Sequence, residues 1–552
     1  MRSPALLLAT TAALYPAYAF QLPFNIPFFG GSQTPLTAPQ LPDTDTTVPN
    51  RIAIIGAGAG GSSAAFWIAK AKERHGLEVE VDVYDKNAYV GGRSTTVFPY
   101  EDENLEAVEL GASIFVKVNK NLWRAVDEFG LERVDFERDD DGDDTMGIWD
   151  GHEFALTTSG GSFFSDWLNK IKIIWRYGYK APSKTQELVA TMVGIFQGLY
   201  SSESPRWSNI SSVVSDLGWS DVTAQTTSEY FDLQGIDRRW TRELVEAATR
   251  VNYGQASARN ADKIHALEGL CSLAASGASS VKGGNFRIFE HFIAESKASV
   301  FLNTTVKAIS QSEATGAWVV DSSAFKQPRA YRSVILAAPF HQTNIDFKAA
   351  ALAPVPEQPY VHLHVTLLST SSPSPNATYF NLAPGTKAPT TLLTTYEGVR
   401  VRGGAEPEFN SLTYHGPVRG QDGEARVNVF GDREWVVKIF SKARLSDEWL
   451  ATLFEGKVGW VLRKEWDAYP VLPPTIEFPP VKLAEGLYYV NAFEPLISTM
   501  ETETIASRNV VDLLLQEQFN ASICKPSAAT DLVEDAPALK AEPADFVLGW
   551  DC

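Results

Sequence analysis

The chain has 552 residues, 67 of them acidic and 48 basic, for a net charge of −19 at neutral pH. That balance excludes nucleic acid as a partner, since two polyanions repel, and it fits an acidic vacuolar, lysosomal or extracellular setting. With 44% hydrophobic residues the composition is that of a globular protein, too long for one simple core and so divided into two or more domains.

The first residues, MRSPALLLATTAALYPAYA, set Arg2 ahead of an apolar stretch that ends in small residues at Ala17 and Ala19. They predict a signal peptide over 1–19, cleaved before Phe20. An uncleaved anchor is the alternative, but the run is short and broken by Pro16. A secretory route gives meaning to four glycosylation sequons, at Asn209, Asn303, Asn376 and Asn520. Residues 20–50, rich in proline and threonine, form a leader to the first strand.

RIAIIGAGAGG at 51–61 then runs an apolar strand into Gly56, Gly58 and Gly61, spaced G-x-G-x-x-G, with a helix-compatible stretch behind them. The first glycine permits the tight turn, the second lets a pyrophosphate reach the backbone, and the third lets helix and strand pack closely. Gly56, Ala57, Gly58 and Gly61 are therefore candidate cofactor contacts. A second strand, VEVDVYD, ends at Asp85 beside Lys86, where a carboxylate should meet ribose hydroxyls. VGGRSTT follows, and its Gly91-Gly92-Arg93 element resembles FAD enzymes of the amine oxidase and glutathione reductase type. FAD is thus preferred over NAD, with Gly92 and Arg93 along the pyrophosphate and flavin edge.

Beyond the first unit, 116–280 carries apolar positions recurring at three and four, as in NLWRAVDEFGLERV and TQELVATMVGIFQGLY, and reads as a helical cap. Its aromatic and apolar residues, Phe163, Phe164, Trp167, Ile173, Trp175, Phe196 and Tyr200, are material for a lipophilic pocket. The acidic run RDDDGDD at 138–144 lacks the glutamate that closes a calcium loop and reads as a solvated turn. Strand signals return from about 299, alternate through 346–484, and give way to a helix-like ETETIASRNVVDLLLQEQF. The fold class is α/β (α+β), with a Rossmann-type FAD-binding domain discontinuous over 51–115, 281–345 and 485–524. A substrate domain of mixed sheet and helical cap covers 116–280 and 346–484, and 525–552 is a loose tail. No membrane span is expected, and no basic amphipathic helix is evident, although contact with a membrane surface stays open.

Three cysteines cannot make a disulfide framework. Cys524 and Cys552 are expected to pair and tie down the tail, leaving Cys271 buried and free. His341 and His415 are candidate water-orienting groups. His362 and His364 share a face of one predicted strand, but no third ligand is in view, so no metal is expected.

Three segments are more specific. RVNYGQ at 250–255, IHALEGLCSLAASG at 264–277 and VKGGNFRIFEHF at 281–292 resemble the prenylcysteine oxidase (prenylcysteine lyase) family, and the likeness extends over roughly 50–520. The resemblance implies an FAD-dependent thioether oxidase that uses molecular oxygen and water to cleave S-prenylcysteine into cysteine, a prenyl aldehyde and hydrogen peroxide. It also implies that Glu109, Gly111, Ala112 and Ser113 form the turn passing the isoalloxazine, that Val306 meets the adenine through its backbone as part of a third nucleotide-facing strand, and that Met500, Glu501 and Thr502 open a helix facing the flavin. No catalytic side chain is assigned. The alternatives are a flavin oxidase or desaturase for another lipophilic substrate, and a non-catalytic lipid-binding relative.

Overall fold

A computed structural model describes residues 48–135, 145–159, 163–254, 260–275, 277–349, 351–524, 543 and 545–552, with backbone alone at 163–167 and 260. The expected signal peptide, nearly all of the leader and the acidic run at 138–144 lie outside the described residues.

The apolar strand Arg51–Ile55 is buried at Ile52, Ala53, Ile54 and Ile55, which requires cover on both faces. It lies between Glu80–Tyr84 and Ser333–Leu336, parallel to both. Ser299–Phe301 and Leu487–Tyr489 extend the parallel array, and Lys482–Ala484 closes one edge antiparallel. Four separate stretches of chain thus build one sheet. Against it pack the helices Ala59–His75 and Met500–Phe519, joined by Ser507 Oγ donating to Gly60 O and Trp67 Nε1 to Thr504 O, and Phe286–Ser296 packs on the first of them. Lys120–Glu128, read from sequence as part of the cap, also packs on Met500–Phe519 and Phe286–Ser296.

The expected third nucleotide-facing strand around Val306 is corrected. The third strand of the parallel sheet is Ser299–Phe301, whereas Val306–Gln311 opens a separate four-stranded sheet. Its first residue still reaches the cleft described below.

A seven-stranded sheet forms the other layer, in the order Val458–Pro470, Tyr360–Thr370, Trp435–Ser441, Ser411–Pro417, Thr391–Thr394, Thr145–Trp149 and Phe154–Ser159. The last two strands come from the span read as a helical cap. Within that span, Phe196 reaches the lipophilic cavity, Ile173 is half-buried in the core, and Tyr200 is buried and hydrogen-bonded to Glu501. Trp175 is 88% exposed. The Phe163–Tyr177 helix in fact turns Leu168, Ile171, Ile174 and Trp175 outward at helical spacing, with exposed Lys170, Lys172 and Lys180 beside them, so a basic amphipathic face exists after all. The side chains of Phe163, Phe164 and Trp167 lie outside the described residues.

The end of the chain is also better held than its composition suggests. Trp550 packs among Phe66, Trp67, Phe129 and Phe292, Arg74 donates to Gly549 O and Trp550 O, and Cys524 is bridged to Cys552. The disulfide spans 28 residues. Closing a loop of that length stabilises by about 3 to 4 kcal/mol, so Cys552→Ser is expected to lower the thermal midpoint measured by differential scanning fluorimetry. An unchanged midpoint would mean that the Trp550 contacts alone hold the tail.

Candidate functional site

A cleft of about 500 Å³ runs along the carboxyl ends of the parallel strands. Its floor is two glycine turns face to face. Gly56 has φ +111°, and a Cβ there would lie 2.4 Å from Ala337 O. Gly91 and Gly92 also have positive φ, and a Cβ on Gly92 would meet Gly58 Cα at 3.2 Å. Gly61 stands behind the turn, where a Cβ would fall 1.8 Å from Gly56 O, so it serves helix–strand approach rather than the cleft wall. Bare backbone beside the amino end of Ala59–His75 fits the diphosphate of a dinucleotide.

Asp85 lines this cleft and also braces the turn. Its Oδ2 accepts from Ala57 N at 2.7 Å and its Oδ1 from Asn87 N at 2.7 Å, while burial raises its pKa against these bonds. Ala57 is therefore corrected as a cofactor contact, because its amide is already committed and it does not wall the cleft. Lys86, Gly58, Gly92, Ala112 and Val306 do wall it.

Arg93 reaches across the cleft, ion-paired with buried Glu494 and donating to Ala468 O at 2.9 Å. Burial opposes its charge, but Glu494 more than offsets this and its pKa is raised. Tyr360 OH donates to the other Glu494 oxygen at 2.5 Å. Beside the glycine turn sits buried Glu503, with Oε1 lacking a partner among the described residues and Oε2 2.8 Å from where a Gly60 Cβ would be. Burial first, then Glu494, pushes its pKa well up, which suits a proton donor next to a phosphate.

The cleft shares Ala112, Tyr469, Ser498, Thr499 and Met500 with an apolar cavity of about 300 Å³. The cavity is walled by Ile114, Phe115, Met192, Phe196, Phe440 and Ile497, and by Val251, Tyr253 and Cys271 from the segments that carry the family resemblance. Cys271 is free, as expected, but only half-buried, being part of this wall. Ser498, Thr499 and Met500 at the amino end of Met500–Phe519 stand where the two spaces meet, with Thr499 and Thr502 closing a capping box. Glu501 is a correction. Its carboxylate accepts from Asn121 N at 2.8 Å, Leu122 N at 3.0 Å and Tyr200 OH at 2.5 Å, so it caps the Lys120–Glu128 helix instead of addressing a cofactor.

The turn Glu109–Ser113 is held from two sides. Lys438 Nζ donates to Glu109 O at 2.9 Å, Gly111 O at 3.2 Å and Ser113 Oγ at 2.8 Å, using all three of its donors. Asn285 donates its backbone N–H to Glu109 Oε1 at 2.6 Å and its Nδ2 to Ala112 O at 3.2 Å. Burial raises Glu109 and lowers Lys438, each partly offset by the other. Glu268, whose Oε1 accepts from Ser498 N at 3.1 Å, is pushed up to about 8 by burial.

Lys438, Glu494, Glu503, Glu268 and Asn285 were missed from sequence. A lone lysine in the otherwise apolar WVVKIF was a signal for the first; the others carry none that is local.

His415 walls the apolar cavity and a neighbouring polar groove, whereas His341 faces Val355 O and Pro356 O at 3.1 Å, away from both the cleft and the cavity. Asn209, Asn303 and Asn520 are exposed; Asn376 is half-buried, with Nδ2 donating to Thr452 O. His362 and His364 do gain a third neighbour of ligand type, Glu465, from the adjacent strand.

Comparison with known proteins agrees with this arrangement. Residues 54–129 match the NAD(P)-binding Rossmann-like domain, and residues 163–525 match the model described as Prenylcysteine lyase. Prenylcysteine oxidase 1 of Mus musculus is 28% identical over 86% of this chain and 90% of its own. Farnesylcysteine lyase of Arabidopsis thaliana is 28% identical over 85% and 88%. Among solved structures, cyclohexylamine oxidase from Brevibacterium oxydans shares the fold at TM-score 0.51 and 14% identity, over 85% of this chain and 99% of its own. Most of the residues that wall the apolar cavity, and the segments that return to the parallel sheet, fall within 163–525, and on that match the chain belongs to the prenylcysteine lyase family.

Proposed function

We propose that the protein is an FAD-dependent thioether oxidase that converts an S-prenyl-L-cysteine, dioxygen and water into free cysteine, a prenyl aldehyde and hydrogen peroxide. The observation that carries this reading is an apolar cavity opening through a shared wall onto a dinucleotide cleft. The names borne by the relatives from mouse and Arabidopsis support the substrate class.

FAD would be held by the backbone of Gly56, Gly58 and Gly92, with Asp85 toward its ribose, Val306 toward its adenine, and Arg93 along its length. When bound, the flavin would supply a two-electron acceptor for oxidation at the allylic carbon next to sulfur, with dioxygen as the final oxidant. The protein's share is placement. The apolar wall sheathes the prenyl chain and keeps bulk water off it. Lys438 and Asn285 fix the Glu109–Ser113 turn at the boundary between the two spaces. The amino end of Met500–Phe519 favours negative charge at that boundary. His415, on the polar-groove side, is the group best sited to orient the water that completes cleavage.

The purified protein should be yellow and should release peroxide and farnesal from S-farnesylcysteine in air. Bound, reducible flavin without turnover of any prenylcysteine would favour an oxidase or desaturase for another lipophilic substrate. Lack of flavin absorbance would favour a non-catalytic lipid binder.

We also propose passage through the secretory route to an acidic compartment, which the disulfide and the exposed sequons support. Burial raises the carboxyls of Glu268 to about 8 and Glu501 to about 7, and those of Glu109 and Glu503 in the same direction. Such a group stays protonated in the folded chain after the unfolded chain has lost its proton. Its stabilising contribution is full below the unfolded pKa and is lost as pH rises through the folded one. His265, lowered to about 4 by burial, works oppositely, but only as pH falls below its unfolded value of 6.5. The thermal midpoint is therefore expected to fall between about pH 6.5 and 8, and Glu268→Gln to flatten that slope. A midpoint rising over this window would refute the assignment of neutral buried carboxyls.

The outward face of Phe163–Tyr177 fits a lipid surface, where prenylated substrates partition. Leu168, Ile171, Ile174, Trp175 and nearby Tyr179 supply apolar area, and Lys170, Lys172 and Lys180 supply positive charge on a chain of −19. Co-sedimentation with phosphatidylcholine vesicles should increase when phosphatidylserine is added and drop in Trp175→Glu/Ile171→Glu. Loss of a dimer in that variant, with vesicle binding unchanged, would assign the face to a second copy instead.

A further inference from the structure

The strand Tyr360–Thr370 runs antiparallel to Val458–Pro470, with His362 opposite Asp467 and His364 opposite Glu465. Alternate residues of a strand share a face, so the four side chains form a rectangle on one side of the sheet. Within it Glu465 Oε2 lies 3.6 Å from His362 Nε2 and 3.5 Å from His364 Nδ1. Ligand atoms held about 2.0–2.1 Å from a tetrahedral ion are about 3.4 Å apart, so both distances from Glu465 Oε2 to the imidazole nitrogens are already close to edge lengths of a coordination tetrahedron. One ligand atom from each of His362, His364 and Glu465 falls within a mutual 4.8 Å.

The fourth member has a different place. Asp467 Oδ1 is 3.0 Å from His362 Nδ1. A carboxylate accepting from Nδ1–H fixes the tautomer and leaves the Nε2 lone pair free, pointed toward Glu465. This is the outer partner that metal-ligating histidines usually have. The two imidazole rings, with centroids 5.4 Å apart and planes at 83°, do not stack, so neither blocks the space between them.

From this geometry we infer that His362, His364 and Glu465 bind one divalent transition-metal ion of the zinc class, with Asp467 orienting His362 and water filling the fourth position. Two imidazoles and one carboxylate suit zinc, cobalt or nickel; calcium and magnesium take mainly oxygen ligands. His364 is largely buried, which anchors the set, while exposed His362 and Glu465 leave the ion open to solvent. The site lies outside the cofactor cleft yet shares its wall. Lys464, Trp466, Asp467 and Ala468 line that cleft, and Tyr360, at the start of the histidine strand, bonds Glu494. Bound metal therefore cross-links the two strands that support the Arg93–Glu494 pair.

The test uses the full, flavin-loaded protein, freed of metal by chelator, with zinc chloride titrated calorimetrically near neutral pH. One equivalent should bind, with affinity lost in His364→Ala and in Glu465→Gln. Asp467→Asn should keep the stoichiometry and weaken binding by about tenfold or more, as the loss of an outer-shell partner does. Cobalt(II) in place of zinc should give the intense visible bands of a four-coordinate ion. Each variant's flavin absorbance and circular dichroism report whether it has folded. Absence of stoichiometric zinc binding, binding that survives both ligand substitutions, or a weak six-coordinate cobalt spectrum would each overturn the assignment.

Discussion

Arg93 and Glu494 meet at the point where the nucleotide layer and the seven-stranded sheet come together, and each is held by a different part of the chain. Arg93 follows the second glycine turn and also donates to Ala468 O; Glu494 lies in the return segment and accepts from Tyr360 OH. Glu494 is buried whereas Arg93 is one-third exposed, so removing Arg93 is the change that would leave an uncompensated buried charge, typically worth about 3 to 5 kcal/mol. The network is therefore a constraint as much as a bond. The glycine turn, the return segment and two strands of the other sheet must all be in place before either charge is paired. With them in place, the cleft and the apolar cavity share a wall.

Around that junction three buried acids lie close to helix ends or glycine backbone. Glu501 caps one helix, Glu268 accepts from the residue that leads into another, and Glu503 lies against Gly60. Desolvation raises all three, so at mildly acidic pH they carry protons and act as neutral hydrogen-bonding groups. A net charge of −19 thus belongs mainly to the surface. In the cleft itself Glu494 is paired with Arg93, and Lys86 and Lys464 stand alongside Asp85 and Asp467.

What could be read from the sequence was local. Gly56 and the Gly91-Gly92 pair carry their meaning in backbone conformations that only glycine adopts freely, and Gly61 in a close approach that leaves no room for a Cβ. Ser299–Phe301 and Val306–Gln311 are both short strands, and nothing within either tells which one joins the parallel sheet. The Phe163–Tyr177 pattern shows an apolar stripe but not what covers it. Lys438 and Glu494 gain their roles from partners more than 300 and 400 residues away. His362 and His364 lacked a third ligand for the same reason: Glu465 reaches them only through strand pairing, a hundred residues on.

The apolar cavity is lined by more polar residues than its expected contents would tolerate, and their pairing resolves the difficulty. A polar atom facing a hydrocarbon costs most when it has no partner. Lys438 has spent its three donors on Glu109, Gly111 and Ser113, Thr502 Oγ1 is engaged with Ile497 O, and the Glu501 carboxylate is turned to helix amides. These groups shape the wall without asking anything of a prenyl chain. The remaining polar lining is Ser498 and Thr499 at the boundary with the cleft and His415 toward the neighbouring groove, where a cysteine head group and water have to be accommodated. Selectivity for an apolar chain with a polar end follows from that division, rather than from any single residue that recognises the substrate.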